Sequence, residues 1–537
     1  MQSSLEKEGI AQSTTTATRI VSAEAGFDSF VRNHAARIAV ALSIFAGLRI
    51  LLFCMAFPPT NGTDEKFHLM SIQMYSQGHL PGRDLPRMDP AFAKTLLLYW
   101  SPEYGMRDMG MNRGVDSQPL FWLTPQERKS SLANGSYQQE VDVWLLAHLQ
   151  RANYHAHSPP LYYMVAGIWY DVGRALGVGD WAQVYWVRLL NPIFYGLLVW
   201  VSYRFVCKVY PESEFLCLAV PGLLAVFPQD VFFGMSRDVL SPVVSTGALL
   251  FMADAITHKN AQYRSLLLAS FLVGLAFLVE VSNFVLYGAL AVCFWMWARD
   301  SGMPRRREIL VVAGSALGAL ALPLLWMWRN FVVIGDFTAS RAKMRVLGWT
   351  VKPATAFFHH PLFSWHGLSY FLLQLTRSFW RGEYVWHAMP MRSAGADWLY
   401  VLSTVLLVLV FVAGLLRQWK NLPRVERFAG SQSLFLVAVS VLFLALLSLL
   451  FDFHDCPYPS RVSPFFVSGR LISGTLLPFA LIYASGLEMV THRFRKWVPP
   501  SAVLACLMLF ITVSEFRVRS VVFSSPYNFF ALSGWRR

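Results

Sequence analysis

Long apolar runs separated by short polar stretches dominate the chain. They fall at about 36–57, 184–206, 214–233, 238–256, 264–280, 281–298, 308–328, 397–416, 431–451, 470–490 and 497–514. Each has the roughly 17–25 residues with which a helix crosses the hydrocarbon core of a bilayer. Helix is the expectation for all eleven, because in lipid the backbone must satisfy its own N–H and C=O groups. One further stretch, 159–176, is apolar and aromatic but carries Asp171 and Arg174 and opens on Pro159-Pro160.

Loop charge fixes the direction of the spans, since cytoplasmic loops collect Lys and Arg. The basic loops are Arg204–Lys208, Lys259–Arg264, Arg299–Arg307, Arg417–Arg427 and Arg493–Lys496. All five share the side of the N-terminus only if 159–176 does not cross, so it is expected to lie at the outer surface as an amphipathic juxtamembrane helix. The N-terminus is then inside and the C-terminus outside. Two large loops, 58–183 and 329–396, share the outer face. They are rich in Trp, Tyr, His and Pro, and order is expected in both.

Composition agrees. Hydrophobic residues make up 55% of the 537 and charged residues only 15%, against about a quarter charged in soluble domains. The net charge of +14 sits in short loops between apolar runs rather than on one soluble face, so no nucleic-acid partner is expected. Of the six cysteines only Cys456 lies in a polar loop, and no Cys/His metal spacing occurs. Residues 1–35 are polar and Ser/Thr-rich and are expected to be a cytosolic tail ahead of an uncleaved first helix.

Polar chemistry concentrates at outer helix ends. The first outer loop opens Pro58-Pro59-Thr60-Asn61-Gly62-Thr63-Asp64-Glu65-Lys66-Phe67-His68. Thr63 or Asp64 is placed to cap a short helix running to about Gln77, with His68 one turn beyond Asp64. A partly desolvated carboxylate here gains basicity and suits proton abstraction from a hydroxyl, an effect worth roughly 10²–10⁴ in rate. A solvated helix start is the alternative for the same residues. His157-Ser158-Pro159-Pro160-Leu161-Tyr162-Tyr163, Ser236-Arg237-Asp238, Arg329-Asn330 and Gly335-Asp336 occupy comparable positions. Arg188 lies inside the second span, where an unpaired charge costs roughly 2.5–3.5 kcal/mol on insertion scales; a carboxylate partner is expected for it, with Asp238 the candidate.

The acidic pair after the first helix, the Pro-Pro-Leu-Tyr-Tyr helix and a seven-span module closed by a long outer loop together resemble the GT-C superfamily of integral-membrane glycosyltransferases. The likeness is nearest to an uncharacterised bacterial branch, through Pro58…Asp64-Glu65…His68, Ser158-Pro159…Tyr162-Tyr163, Ser236-Arg237-Asp238 and Gly469-Arg470…Leu477-Pro478. It spans roughly 36–490 and rests on the constellation, because each motif is short. It implies an all-α polytopic protein in which 36–328 is a catalytic module including the loop 58–183. The second loop 329–396 and C-terminal helices in 397–537 follow. It further implies inverting transfer from a polyprenyl-phosphate sugar to a lipid, glycan or protein acceptor at the periplasmic face of a bacterial inner membrane. Asp64 would be the base beside Glu65, and His68, His157, Tyr162, Asp238, Glu280, Arg329 and Arg470 would contact substrate. Arginine suits phosphate because its guanidinium bonds bidentately; Arg470 is the first choice, then Arg329, Arg377 and Arg381, with snorkelling at a helix end the alternative for each.

Gly274-Leu275-Ala276-Phe277-Leu278-Val279-Glu280 departs from the resemblance, since relatives commonly carry Lys in the turn where this chain has Glu280. Asp64, Glu65 and His68 leave a divalent metal ion open as cofactor, whereas His359-His360 and Asp452…His454-Asp455 read as ordinary loop residues. Trp365, Trp380 and Trp386 are candidates for stacking on sugar rings. A transporter or flippase of lipid-linked glycans would share the many spans and internal arginines. It would also tend to show internal repeats and broken midplane helices, neither of which is visible. A non-catalytic scaffold is the third reading. The sequons at Asn61 and Asn134 lie on the outer side; a glycan at Asn61 would crowd Asp64, which favours a bacterial membrane.

Overall fold

A computed structural model describes residues 34–60, 62, 64–107, 118–257, 263–300, 302–495 and 497–534. Most of the expected N-terminal tail, Asn61 and Thr63 lie outside the described residues. The chain is 74% helical with almost no sheet, and nine of its described helices are long and apolar enough to cross a membrane. The protein is an all-α polytopic membrane protein.

The first candidate span, α1 (His34–Ala56), leads into the loop expected on the outer face, which holds five helices: α2 (Glu65–Ser76), α3 (Pro90–Tyr99), α4 (Pro125–Ala133), α5 (Gln138–Leu149) and α6 (Leu161–Ala175). α6 is the stretch expected at the membrane surface. Tyr162, Tyr163, Ala166 and Gly167 on one face are buried while Met164, Ile168, Val172 and Leu176 on the other are exposed. The buried face packs on α2, and the exposed face named here is apolar. α7 (Asp180–Arg188) and α8 (Leu190–Val209) form one span of 30 residues with a break at Leu189. Pro192 explains the break, because it has no N–H to give the carbonyl of Arg188.

The run 214–233 is not one helix, contrary to the sequence expectation. α9 (Glu214–Ala225) ends before Pro228, and Asp230–Phe233 forms a separate 3₁₀ turn. Gln229 and Asp230 are spent on tertiary bonds: the Gln229 amide donates to the Ser378 and Phe379 carbonyls, and Asp230 accepts from the Glu383 and Tyr384 N–H groups. α10 (Ser241–Thr257), α11 (Tyr263–Val279), α12 (Val285–Asp300) and α13 (Arg305–Ile334) follow. The second outer loop holds α14 (Arg341–Leu347), the single turn α15 (Ala354–Phe357) and α16 (Trp365–Arg381). The chain closes with α17 (Ala394–Gln418), α18 (Arg424–Leu450), α19 (Leu476–Arg493), α20 (Pro500–Arg519) and the turn α21 (Phe529–Leu532).

Charges inside the bundle are paired, as low dielectric requires. Arg49 of α1 bonds Glu515 of α20, and Arg519 bonds Glu515 and the Pro228 carbonyl. Both outer loops, the segment after α18 and the C-terminal segment meet at one end. Thr350–Val351 pairs antiparallel with Phe451–Asp452, while the Arg128 guanidinium donates to the Tyr527 hydroxyl at 2.7 Å.

Candidate functional site

Asp64 is the N-cap of α2, but not in the usual way. A capping residue is normally extended and uses its carboxylate on the first free N–H groups. Asp64 has φ 63°, in the left-handed region, and its side chain makes no cap bond. For a residue with a Cβ this conformation costs on the order of 1–3 kcal/mol and persists only where the surroundings impose it. Its effect is to turn the carboxylate away from α2 into a cluster. There Oδ1 accepts from the Tyr154 hydroxyl, while Oδ2 lies 3.3 Å from His155 Nε2 and 3.1 Å from an Arg470 terminal nitrogen. The side chain is 20% exposed.

Arg470 is the hub. It sits on the 3₁₀ turn Gly469–Thr475 ahead of α19. The Gly469 N–H donates to the Ser378 hydroxyl at 2.9 Å. A Cβ on Gly469 would stand 2.2 Å from the Phe379 backbone, so only glycine allows this approach. From there Arg470 reaches Asp64, Asp238 Oδ2 at 3.0 Å and Glu383 Oε2 at 3.7 Å. Asp238 is held by Ser236, whose hydroxyl donates to Oδ2 at 2.8 Å and accepts the Asp238 N–H at 3.2 Å. Its Oδ1 is buried without a hydrogen-bond partner. Arg237 pairs with Glu280 beside this group, and Ser468 and Tyr458 donate to Glu383 at 2.7 and 3.2 Å.

Protonation follows from the surroundings. Burial alone would raise the Asp64 carboxyl, but His155, Arg470 and the Tyr154 hydroxyl hold it well below the usual range, so the gain in basicity expected from desolvation is reversed. Burial drives His155 down to about 4 in spite of Asp64. At neutral pH His155 is therefore neutral, and Arg470 is the cation that faces an ionised Asp64. His68 is likewise held well below its ordinary value by burial and by His155. Lys343 on α14 stands with its ammonium 5.7 Å from the Tyr154 ring centroid. Burial and Arg237 lower it to about 8, against the pull of Asp64 and Glu280. Burial raises Glu383.

Of the residues expected from sequence, the structure brings Asp64, Asp238, Glu280 and Arg470 together. Glu65 is elsewhere: fully buried, it accepts from Arg188 Nε and Nη2 at 2.7 Å each and from the Met235 N–H at 2.9 Å. Arg188 thus pairs with Glu65 and not with Asp238, which is taken by Arg470. His68 shares a 2.8 Å hydrogen bond with Tyr163 and lies 4.5 Å, ring to ring, from His155. Tyr162 is buried in the core beneath α2. His157 and Arg329 belong to a neighbouring group, binding the Gly82 and Pro81 carbonyls. Arg377 and Arg381 face Asp397. Trp380 is buried against Tyr400 at 4.7 Å, Trp386 packs edge-on to Tyr104, and Trp365 is 83% exposed.

Tyr154, His155, Lys343 and Glu383 escaped the sequence reading. The run Tyr154-His155-Ala156-His157 adjoins the Pro-Pro motif, so its aromatic and imidazole density was a usable signal; Lys343 and Glu383 stand in no motif. Among the described residues no group of three or more His, Cys, Asp or Glu is placed to hold a metal ion. Compared with protein-family models and with curated proteins, the chain matches none.

Proposed function

We propose that the protein is a membrane glycosyltransferase of the GT-C kind, moving a sugar from a polyprenyl-phosphate donor to an acceptor hydroxyl. The observation that carries the reading is Asp64. A strained backbone withholds its carboxylate from helix capping and presents it, ionised and partly exposed, where both outer loops converge. In the step proposed, the acceptor oxygen attacks the anomeric carbon as Asp64 takes its proton. The bond from that carbon to the phosphate oxygen breaks, and the lipid phosphate leaves with the electron pair, inverting the centre. Lys343, which forms no ion pair among the described residues, is the cation for that phosphate. Arg470 has three carboxylates around it and serves as a positioning residue for Asp64.

The reading includes eleven crossings, counting α9 and α11 with the nine longer helices, and a catalytic unit ending at α13. It puts the cluster at the periplasmic face of a bacterial inner membrane, opposite the basic loops. Fixed donors and charges in a water-poor site act more strongly than in solution, and a base in reach of the acceptor contributes roughly 10²–10⁴ in rate.

The test is mass spectrometry of surface glycans from cells lacking the protein, rescued with wild type or with Asp64→Asn at matched membrane levels. Wild type is expected to restore a sugar mass that Asp64→Asn does not. Full rescue by Asp64→Asn removes the base and the transfer reading with it.

A further inference from the structure

Two of the six cysteines meet at the far end of the bundle from the Asp64 cluster. α8 stops at Val209, and the chain reverses over Tyr210–Ser213, where the Ser213 N–H donates to the Tyr210 carbonyl at 3.1 Å. Ser213 then caps α9, its hydroxyl accepting the Leu216 N–H at 3.1 Å and donating to Glu488 at 2.8 Å. Cys207 and Cys217 each lie within about one helical turn of this reversal, on α8 and α9 respectively. The Cys207 thiol donates to the Cys217 sulfur at 3.0 Å, and the Cys217 thiol in turn faces the Tyr210 carbonyl at 3.9 Å. The other thiols are spent differently: Cys54, Cys293 and Cys456 direct theirs at backbone carbonyls, and Cys506 is exposed.

A disulfide bond is about 2.05 Å long, so the two sulfurs need approach by only about 1 Å to be joined. Their surroundings differ. Cys207 is half-buried, with the Tyr203 hydroxyl and Arg204 beside its sulfur. Cys217 is 7% exposed, with Glu214 and Glu488 on its side. Reactive thiols sit in partly exposed, electropositive surroundings, which makes Cys207 the attacking sulfur and Cys217 the one that closes the bond. Counting about 1.5 Å per helical residue, Cys207 lies roughly 26 Å along α8 from Leu190. It also stands in the basic stretch Arg204–Lys208 expected inside, where the oxidant within reach is a small cytosolic disulfide.

We propose that Cys207 and Cys217 are a reactive dithiol that a small-molecule disulfide converts to an intrachain disulfide, stapling α8 to α9. This site is independent of whether the Asp64 cluster transfers sugar. The Cys207 thiolate attacks one sulfur of the small disulfide, whose S–S bond breaks as its other half leaves with the electron pair and takes up a proton. Cys217 then gives up its proton and attacks the Cys207 sulfur of the mixed disulfide, releasing the second half in the same way. Two protein thiols and one small disulfide become one protein disulfide and two small thiols.

The full-length protein in lipid nanodiscs is equilibrated with mixtures of glutathione and glutathione disulfide. Remaining thiols are blocked with N-ethylmaleimide in denaturant and mapped by non-reducing peptide mass spectrometry. A peptide pair joined at Cys207 and Cys217 is expected to appear as the disulfide fraction rises and to vanish with dithiothreitol. Cys207→Ser is expected to abolish it and leave Cys217 open to maleimide, whereas Cys217→Ser leaves Cys207 as a stable mixed disulfide with glutathione. Cys506→Ser and Asp64→Asn are expected to leave the joined pair unchanged, so this site and sugar transfer are read separately. The proposal is overturned if Cys207 and Cys217 stay open to maleimide in every mixture, if the wild type stops at a mixed disulfide, or if Cys506→Ser removes the joined pair.

Discussion

Two adjacent carboxylates, Asp64 and Glu65, have opposite fates although they differ by a single methylene. Glu65 points under α2 into a fully buried pair with Arg188, and Asp64 points into the cluster with Arg470. Removing one partner of a buried ion pair strands the other charge and typically costs about 3–5 kcal/mol. Glu65→Gln is therefore expected to lower the thermal unfolding temperature of the detergent-solubilised protein sharply, whereas Asp64→Asn lowers it little and abolishes transfer. Lys343 supplies a pH test. Its folded-state value near 8 lies below the usual lysine value, so its charge is present below pH 8 and is lost as pH rises through it. Transfer rate is expected to fall above about pH 8, and Lys343→Arg should move that fall to higher pH; an unmoved profile would assign it to another group.

At the scale of elements, the C-terminal segment acts as a strap across the first outer loop. The Tyr527 hydroxyl accepts from Arg128 and bonds the Phe121 and Leu123 carbonyls, and Arg128 in turn caps the Leu97, Trp100 and Leu120 carbonyls. Tyr527→Phe leaves buried partners unsatisfied, at a cost of about 1–3 kcal/mol. It is expected to raise the rate of limited proteolysis within 118–150 while leaving the helical content unchanged. Glu103, beside the strap, accepts from Ser101 and Ser525 and forms no ion pair among the described residues, and burial raises it to about 7. Its unfolded-state value is near 4.5, so the unfolded chain ionises first. Stability of the strap is expected to decline as pH rises from about 4.5 to 7 and to level off above, which hydrogen exchange of 520–534 would show. α6 was legible as a helix apart from the long spans because it is short, opens on Pro159-Pro160 and carries Asp171 and Arg174. The break in 214–233 was not, because the apolar run continues through Pro228 and only the tertiary bonds of Gln229 and Asp230 end the helix.

For the whole molecule, sidedness is the decisive property. In a variant stripped of its six native cysteines, Ser136→Cys, Ser340→Cys and Ser533→Cys are expected to react with an impermeant thiol reagent from one side of the membrane. Arg306→Cys and Lys420→Cys should react only from the other; any exchange between the sets overturns the topology. By itself the sequence determined the helical class, the long apolar spans and the two long loops between them. Each of these depends on hydrophobic length, periodicity and loop charge, which are local quantities summed along the chain. It also pointed to Asp64, Asp238, Glu280 and Arg470, because ionisable groups at helix ends stand out against an apolar background. Only the tertiary structure decided that Arg188 takes Glu65, that Asp64 leaves its capping role, and that His155, Lys343 and Glu383 complete the cluster. Those assignments depend on distances between residues as much as 406 positions apart, as for Asp64 and Arg470, and charge pairing in a low-dielectric interior is settled by which partner arrives within a few ångströms.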